Sequence, residues 1–264
     1  MEDKRLFLGM EVVAPWPEEL PSGRILLPED RHVTLAFLGD TNLPQLQTLL
    51  KSFPTPPFEI GLAGYFDHPL FLPESSPHVA AWHIHWLEQE AQFFRFREEI
   101  VAWLQGYHLF PKKEKKRFVS HVTIARSPFV IHEWKHSFVK RPLFVRNIHL
   151  CESLGFSRYE VCWTYPILAP FEEKEHTADI AFVVRGKTME QIHLHAQLAL
   201  SFHDLKLLQY FSFETVQNID EIVRSLNRMI GLADQAEGCS LKAVSYHGKI
   251  QGDGILEWEM IVDV

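Results

Sequence analysis

Two short segments of this chain repeat one pattern: Arg31-His32-Val33-Thr34-Leu35 and, far downstream, Ser120-His121-Val122-Thr123-Ile124. Each is a His-x-Thr unit followed by an apolar residue. In an extended strand residues two apart share a face, so each unit aims one imidazole and one hydroxyl to one side while its Val turns away. Two such strands side by side would make a symmetrical four-residue site. Imidazole titrates near neutral pH, so a pair can divide the work of acid and base while the hydroxyls hold an anion. That combination suits a phosphodiester. A single His-x-Thr is more often structural, and the chain has 15 His. The weight rests on the matched settings: both threonines precede apolar residues, and both units end in breakers, Gly39-Asp40 and Ser127-Pro128.

At 264 residues the chain is near the length at which one core gives way to two. The start, Met1 to Arg5, leads into an apolar run only from Leu6 to Met10 before Glu11, too short for a signal peptide. No stretch approaches the ~20 apolar residues of a membrane span. Cys151, Cys162 and Cys239 have no Cys-x-x-Cys spacing, which points to a reduced cytoplasmic protein without a disulfide framework or thiolate zinc site. The net charge of −8 is uneven: residues 1–170 carry 18 Lys and Arg against 19 Asp and Glu, residues 171–264 carry 8 against 15. An acidic last third is a poor grip for a phosphate backbone. The strongest basic cluster, Lys112 to Arg117, runs directly into the second His-x-Thr strand.

Along the chain, strands are expected at Leu6–Val13, Val33–Leu38, Phe58–Leu62, Val79–Trp86, Phe118–Ala125, Pro142–Glu152 and Glu160–Leu168. Helices are expected at Thr41–Phe53 and Leu87–Tyr107. Pro170 to Lys174 reads as a linker (170–174) between a first domain (1–169) and a second (175–264). The second reads as strand Asp179–Val184, helices Thr188–Phe202 and Asp220–Leu232, and strands Leu241–Tyr246 and Trp258–Val262. This irregular alternation is α+β. His83-x-His85 and His193-x-His195 have no carboxylate or cysteine at ligand spacing in sequence and read as structural. No Walker-type loop is present.

With these motifs placed, residues 4–168 resemble the 2H phosphoesterases, and among them the bacterial and archaeal RNA 2′,3′-cyclic phosphodiesterases. The resemblance rests on Lys4-Arg5-Leu6-Phe7-Leu8, His32 to Gly39, His121 to Arg126, and Leu150-x-Glu152-Ser153. It implies a two-lobed α+β fold with antiparallel sheets flanking a central cleft. It further implies His32 as proton donor, His121 as proton acceptor, and Thr34, Thr123 and Arg126 as phosphate contacts, in a metal-independent hydrolysis of RNA cyclic-phosphate ends to 2′-phosphates. A proline-rich bridge, Pro15 to Pro21, stands where the family has a full helix.

The second part resembles archease, an activator of the GTP-dependent RNA-splicing ligase. The residues are Glu175-His176-Thr177-Ala178-Asp179-Ile180, Gly186-Lys187-Thr188, Lys242 to His247, and Val262-Asp263-Val264. The resemblance implies a small α+β domain, shortened here in its middle, with calcium or another divalent cation held by Asp179, Asp263 and the Val264 carbonyl. It implies the ligase as partner. Two alternatives stand beside the hydrolase: a 2′–5′ RNA ligase, and a non-catalytic protein that binds RNA ends and activates the ligase.

Overall fold

The computed structural model describes residues 3–109, 111, 118–175, 179–245 and 250–264. The basic run Lys112 to Arg117, the triplet 176–178 and residues 246–249 lie outside them. Contacts divide the chain into two units, Met1–Val139 with Val145–Leu168, and Lys140–Phe144 with Ala169–Val264.

The strands running through the first unit are β1 (Lys4–Val13), β2 (Arg24–Ile25), β3 (His32–Thr41), β4 (Ala63–Leu72), β5 (Val79–Trp86), β6 (His121–Arg126), β7 (Arg141–Gly155) and β8 (Arg158–Tyr165). Its helices are α1 (Leu43–Leu49), α2 (Glu90–Gly106) and α3 (Ile131–His136). The sheet order is β1-β3-β6-β5-β4-β7, and β7 also pairs with β1, so six strands close on themselves. β8 extends from β7 and β2 pairs with β6. Closure leaves no free edge within that ring and fixes β3 beside β6. Leu6, Leu8, Val33, Leu35, Phe66, Ile84, Val122 and Ile124 are fully or almost fully buried. α2 buries Phe93, Phe96, Ile100 and Leu104, the i, i+3, i+4 spacing of one helical face, while Val101 stays half-exposed.

Several elements depart from the sequence expectation, among them β2 and α3, which the sequence pattern does not indicate. The strand expected at Phe58–Leu62 is irregular chain with one parallel bridge, Ile60 to Leu168. A Cβ on Gly61 would lie 1.8 Å from the Val145 carbonyl oxygen, so this backbone approach admits only glycine. The strand instead follows at β4, whose alternation is interrupted by a register shift and by Pro69. Residues 170–174, expected as a linker, contain strand β9 (Phe171–Lys174), hydrogen-bonded to β10 (Ile180–Gly186). Only Phe171 of its four side chains is buried, which is why the segment reads as charged and unstructured.

In the second unit β11 (Ala243–Ser245), β12 (Leu256–Asp263), β10 and β9 form an antiparallel sheet in the order β11-β12-β10-β9. Helices α4 (Met189–His203) and α5 (Ile219–Glu237) complete it. Its core holds Phe182, Val184, Trp258, Met260, Val262, Ile192, Leu198 and Leu226. Thr188 caps α4, its hydroxyl accepting from the Gln191 amide at 3.2 Å. Gly186 just before it lets β10 approach the helix, since a Cβ there would meet Ile192 N at 2.7 Å. Among the described residues no helix is long and apolar enough to cross a membrane.

Candidate active site

The two His-x-Thr units lie on neighbouring strands. β3 and β6 are antiparallel with Val33 opposite Val122, a register that sets His32 across from Thr123 and Thr34 across from His121. Both valines are fully buried, which turns both histidines and both threonines to the other face.

The resemblance between the two strands extends to their irregularities. Against β1, the pairing shifts after Leu8–Ala36 so that Gly9 meets Thr34, leaving Leu35 as an extra residue. Against β5, Ala80 meets Ala125 and Ala81 meets Thr123, leaving Ile124 as the extra residue. Each unit is thus followed at its apolar position by a bulge. The second bulge reverses the alternation and returns Arg126 to the side of Thr123.

The imidazoles are anchored alike. His32 Nδ1 lies 2.8 Å from the Asp30 carbonyl and His121 Nδ1 lies 2.7 Å from the Val119 carbonyl, each two residues upstream. A carbonyl only accepts, so Nδ1 carries the proton in both rings and Nε2 keeps its lone pair. Two neutral rings in the same tautomer are chemically equivalent at this level. Their surroundings differ.

His32 stacks on Phe7 with ring centroids 4.6 Å apart and meets the edge of Tyr159 at 5.1 Å. That enclosure, with a smaller contribution from the nearby Arg126 guanidinium, pushes its pKa down to about 4, against the opposing pull of the Asp30 carbonyl. Arg126 is held by Ser157, Nε donating to the hydroxyl at 2.9 Å. The side of His32 away from β6 opens on a cavity of roughly 210 Å³ lined among others by Gly9, Glu11, His149, Cys151 and Tyr159. Burial raises the Cys151 thiol to about 12, so this cavity offers no thiolate nucleophile.

Glu11, paired across the strands with His32, organises the rim. Burial would raise its carboxyl, but the nearby His149, with Nε2 3.6 Å away, and hydrogen bonds from Arg146 and Asn147 override it and hold the pKa at about 2. Arg146 Nη2 donates to Oε1 at 2.7 Å and Asn147 Nδ2 to Oε2 at 2.9 Å. Glu11, Tyr159 and Ser157 carry no motif in the sequence, and Phe7, within the opening Lys4-Arg5-Leu6-Phe7-Leu8, has no site role assigned there. Only the alternation of β1 hints that Glu11 and Gly9 share the face of His32.

In the second unit, Ile180 pairs with Val262, so the continuation of that register sets Asp179 across from Asp263. Asp263 Oδ1 accepts from the Ser245 hydroxyl at 2.9 Å, and its carbonyl accepts from Lys242 N at 2.8 Å. Val264 is half-exposed beside it. These are oxygen donors, the chemistry that calcium or magnesium takes. The histidines of His193-x-His195 are both buried, and two positions apart on α4 they cannot share a face. His195 Nδ1 bonds the Arg185 carbonyl, a structural role.

No family model and no curated protein matches the chain. Several solved structures are similar in fold outline. E. coli LigT complexed with 3′-AMP is 16% identical with a TM-score of 0.44, covering 62% of this chain and 98% of LigT. A structure described as a phosphoesterase is 15% identical at a TM-score of 0.43, covering 63% of this chain and 99% of its own. A protein of Thermus thermophilus is 20% identical at a TM-score of 0.43, over 62% and 98% of the two chains.

Proposed function

We propose that the first unit is a phosphodiesterase that opens RNA 2′,3′-cyclic phosphate ends to 2′-phosphates. The observation that carries this reading is the paired geometry: two His-x-Thr strands in register, each imidazole held through Nδ1 by a carbonyl two residues upstream. His121 Nε2 takes a proton from water, the water oxygen bonds to phosphorus, and the bond to the 3′ oxygen breaks. His32 then protonates that oxygen, leaving a 3′-hydroxyl and a 2′-phosphate. Thr34, Thr123 and Arg126 hold the non-bridging oxygens, Arg126 as a planar fork. The free protein keeps His32 neutral near pH 7, and His32 takes up a proton from solvent on binding the substrate, whose negative charge offsets the Arg126 guanidinium. Each proton-transfer role is worth ~10²–10⁴ in rate.

The test is turnover of a cyclic-phosphate oligonucleotide with divalent ions chelated. The expected result is a 2′-phosphate product from the wild-type chain and none from a His32→Ala, His121→Ala double variant. Equal turnover by both proteins overturns the hydrolase, and joining of ends by the wild type alone assigns the 2′–5′ ligase instead.

For the second unit the juxtaposition of Asp179 and Asp263 supports a divalent-cation site completed by Val264, and with it the archease-like role of engaging an RNA-splicing ligase. Calcium titration of the full chain should show one site that Asp179→Asn weakens at least tenfold. An unchanged isotherm removes the reading.

A further inference from the structure

A second cluster of histidines stands one strand away from His121. β4 pairs Phe66 with Ile84 and then Pro69 with Trp82 on β5, so Asp67 and His68 together oppose the single residue His83. A bulge of this kind re-aims a side chain that ordinary alternation would send to the other face. Pro69, lacking an amide hydrogen, closes the irregularity. As a result both Nδ1 atoms fall on one oxygen: Asp67 Oδ1 lies 2.8 Å from His68 and 2.7 Å from His83. The two rings stack with centroids 4.5 Å apart.

We propose that Asp67, His68 and His83 form a binding site for a divalent transition-metal ion of the zinc class. The three ligand atoms lie within 4.8 Å of one another, the compactness a single ion needs. Two imidazoles and one carboxylate are an N,N,O set, which suits zinc and its neighbours and not calcium or magnesium, which take oxygen. With metal–ligand bonds of about 2.0–2.1 Å, tetrahedral donors stand roughly 3.3 Å apart, so the present contacts need open by only about half an ångström. His68 is half-exposed, which gives the ion a way in, while Asp67 and His83 are about three-quarters covered and hold the other two positions.

The position in the sheet gives the site its interest. His83 pairs directly with His121 across β5 and β6, and paired residues of antiparallel strands share a face. Three protein ligands leave an open position, as in metal sites that bind an exchangeable water or anion. The open position therefore falls on the side of the sheet that carries His121 and Thr123. The sequence could not show this, because the carboxylate missing from His83-x-His85 comes from a separate strand.

The experiment is titration of the full, chelator-treated chain with zinc by calorimetry and with cobalt(II) by its visible absorption. One equivalent is expected to bind, with the cobalt bands of a nitrogen- and oxygen-ligated ion. His68→Ala, at the exposed position, and Asp67→Asn should each weaken binding at least tenfold with unfolding temperatures close to wild type, whereas the His32→Ala, His121→Ala double variant should bind unchanged. Absence of binding overturns the proposal, as does affinity that ignores His68 and Asp67 or is lost with His32 and His121. Because the readout is metal and not turnover, this outcome is separate from the fate of the phosphodiesterase reading.

Discussion

A β-carbon on Gly9 would lie 3.0 Å from Cδ2 of His32 and 3.2 Å from the Val33 carbonyl oxygen. Gly9 is opposite Thr34, at the bulge that follows the first His-x-Thr unit. The glycine is thus the space into which the His32 ring is set. Gly9→Ala should fold, since a strand favours alanine over glycine, but should displace the ring from its stack on Phe7. A displacement near 1 Å costs on the order of 10² in rate. Turnover of a cyclic phosphate should fall by about that factor with an unfolding temperature close to wild type; full activity would show that the ring accommodates the methyl group.

The two histidines differ in burial but share a tautomer, so their roles are best separated by the leaving group. A donor is dispensable when the departing oxygen is a nitrophenolate, which leaves without protonation; an acceptor is not. His32→Ala should lose ~10²–10⁴ in rate on a cyclic phosphate and much less on a nitrophenyl phosphodiester. His121→Ala should lose activity on both. The opposite pattern would exchange the roles.

Acid should unfold the first unit in two overlapping stages. His32 is held neutral down to about 4 while the unfolded imidazole protonates near 6.5, so the stability it contributes is present above 6.5 and is lost as pH falls toward 4. Glu11 stays ionised to about 2 against an ordinary 4.5, so its contribution is lost as pH falls from 4.5 toward 2. A shift of that size corresponds to stability on the order of 3 kcal/mol. Denaturant unfolding measured from pH 8 to 2.5 should show Glu11→Gln flattening the lower stage and His32→Phe the upper. A Glu11→Gln profile parallel to wild type below pH 4.5 would contradict the assignment.

The motif strands, α2, α4 and α5 are legible in the sequence because their patterns repeat with the period of the element that forms. The repeated His-x-Thr pattern suggests a shared site, but that β3 and β6 are neighbours is shown by their pairing at Val33 and Val122. β4 cannot be read: its extra residue between Phe66 and Pro69 breaks the two-residue period on which strand reading depends. β9 reads as a linker because Glu172, Glu173 and Lys174 are all exposed on an edge strand. The site's supporting residues come from segments distant in sequence: Glu11 on the neighbouring β1, and Ser157 and Tyr159 at the β7–β8 hairpin, which meet Arg126 and His32. No local pattern encodes such contacts.

The turn from β7 to β8 joins stability to the site in one place. Phe156 and Ser157 both hold positive φ, 52° and 63°, and Phe156 is 85% exposed. A two-residue hairpin of this form is built for Asn-Gly, and a bulky residue there is strained. Phe156→Asn should therefore stabilise the chain by roughly 0.5–1 kcal/mol. Ser157→Gly should relieve the same strain yet remove the hydroxyl that accepts from Arg126 Nε. That variant should be as stable or more so, with KM for a phosphodiester raised several-fold because the guanidinium must be ordered by the substrate itself. Melting temperature and Michaelis constants for the two variants decide the matter: if Ser157→Gly leaves KM unchanged, Arg126 does not depend on the turn for its aim.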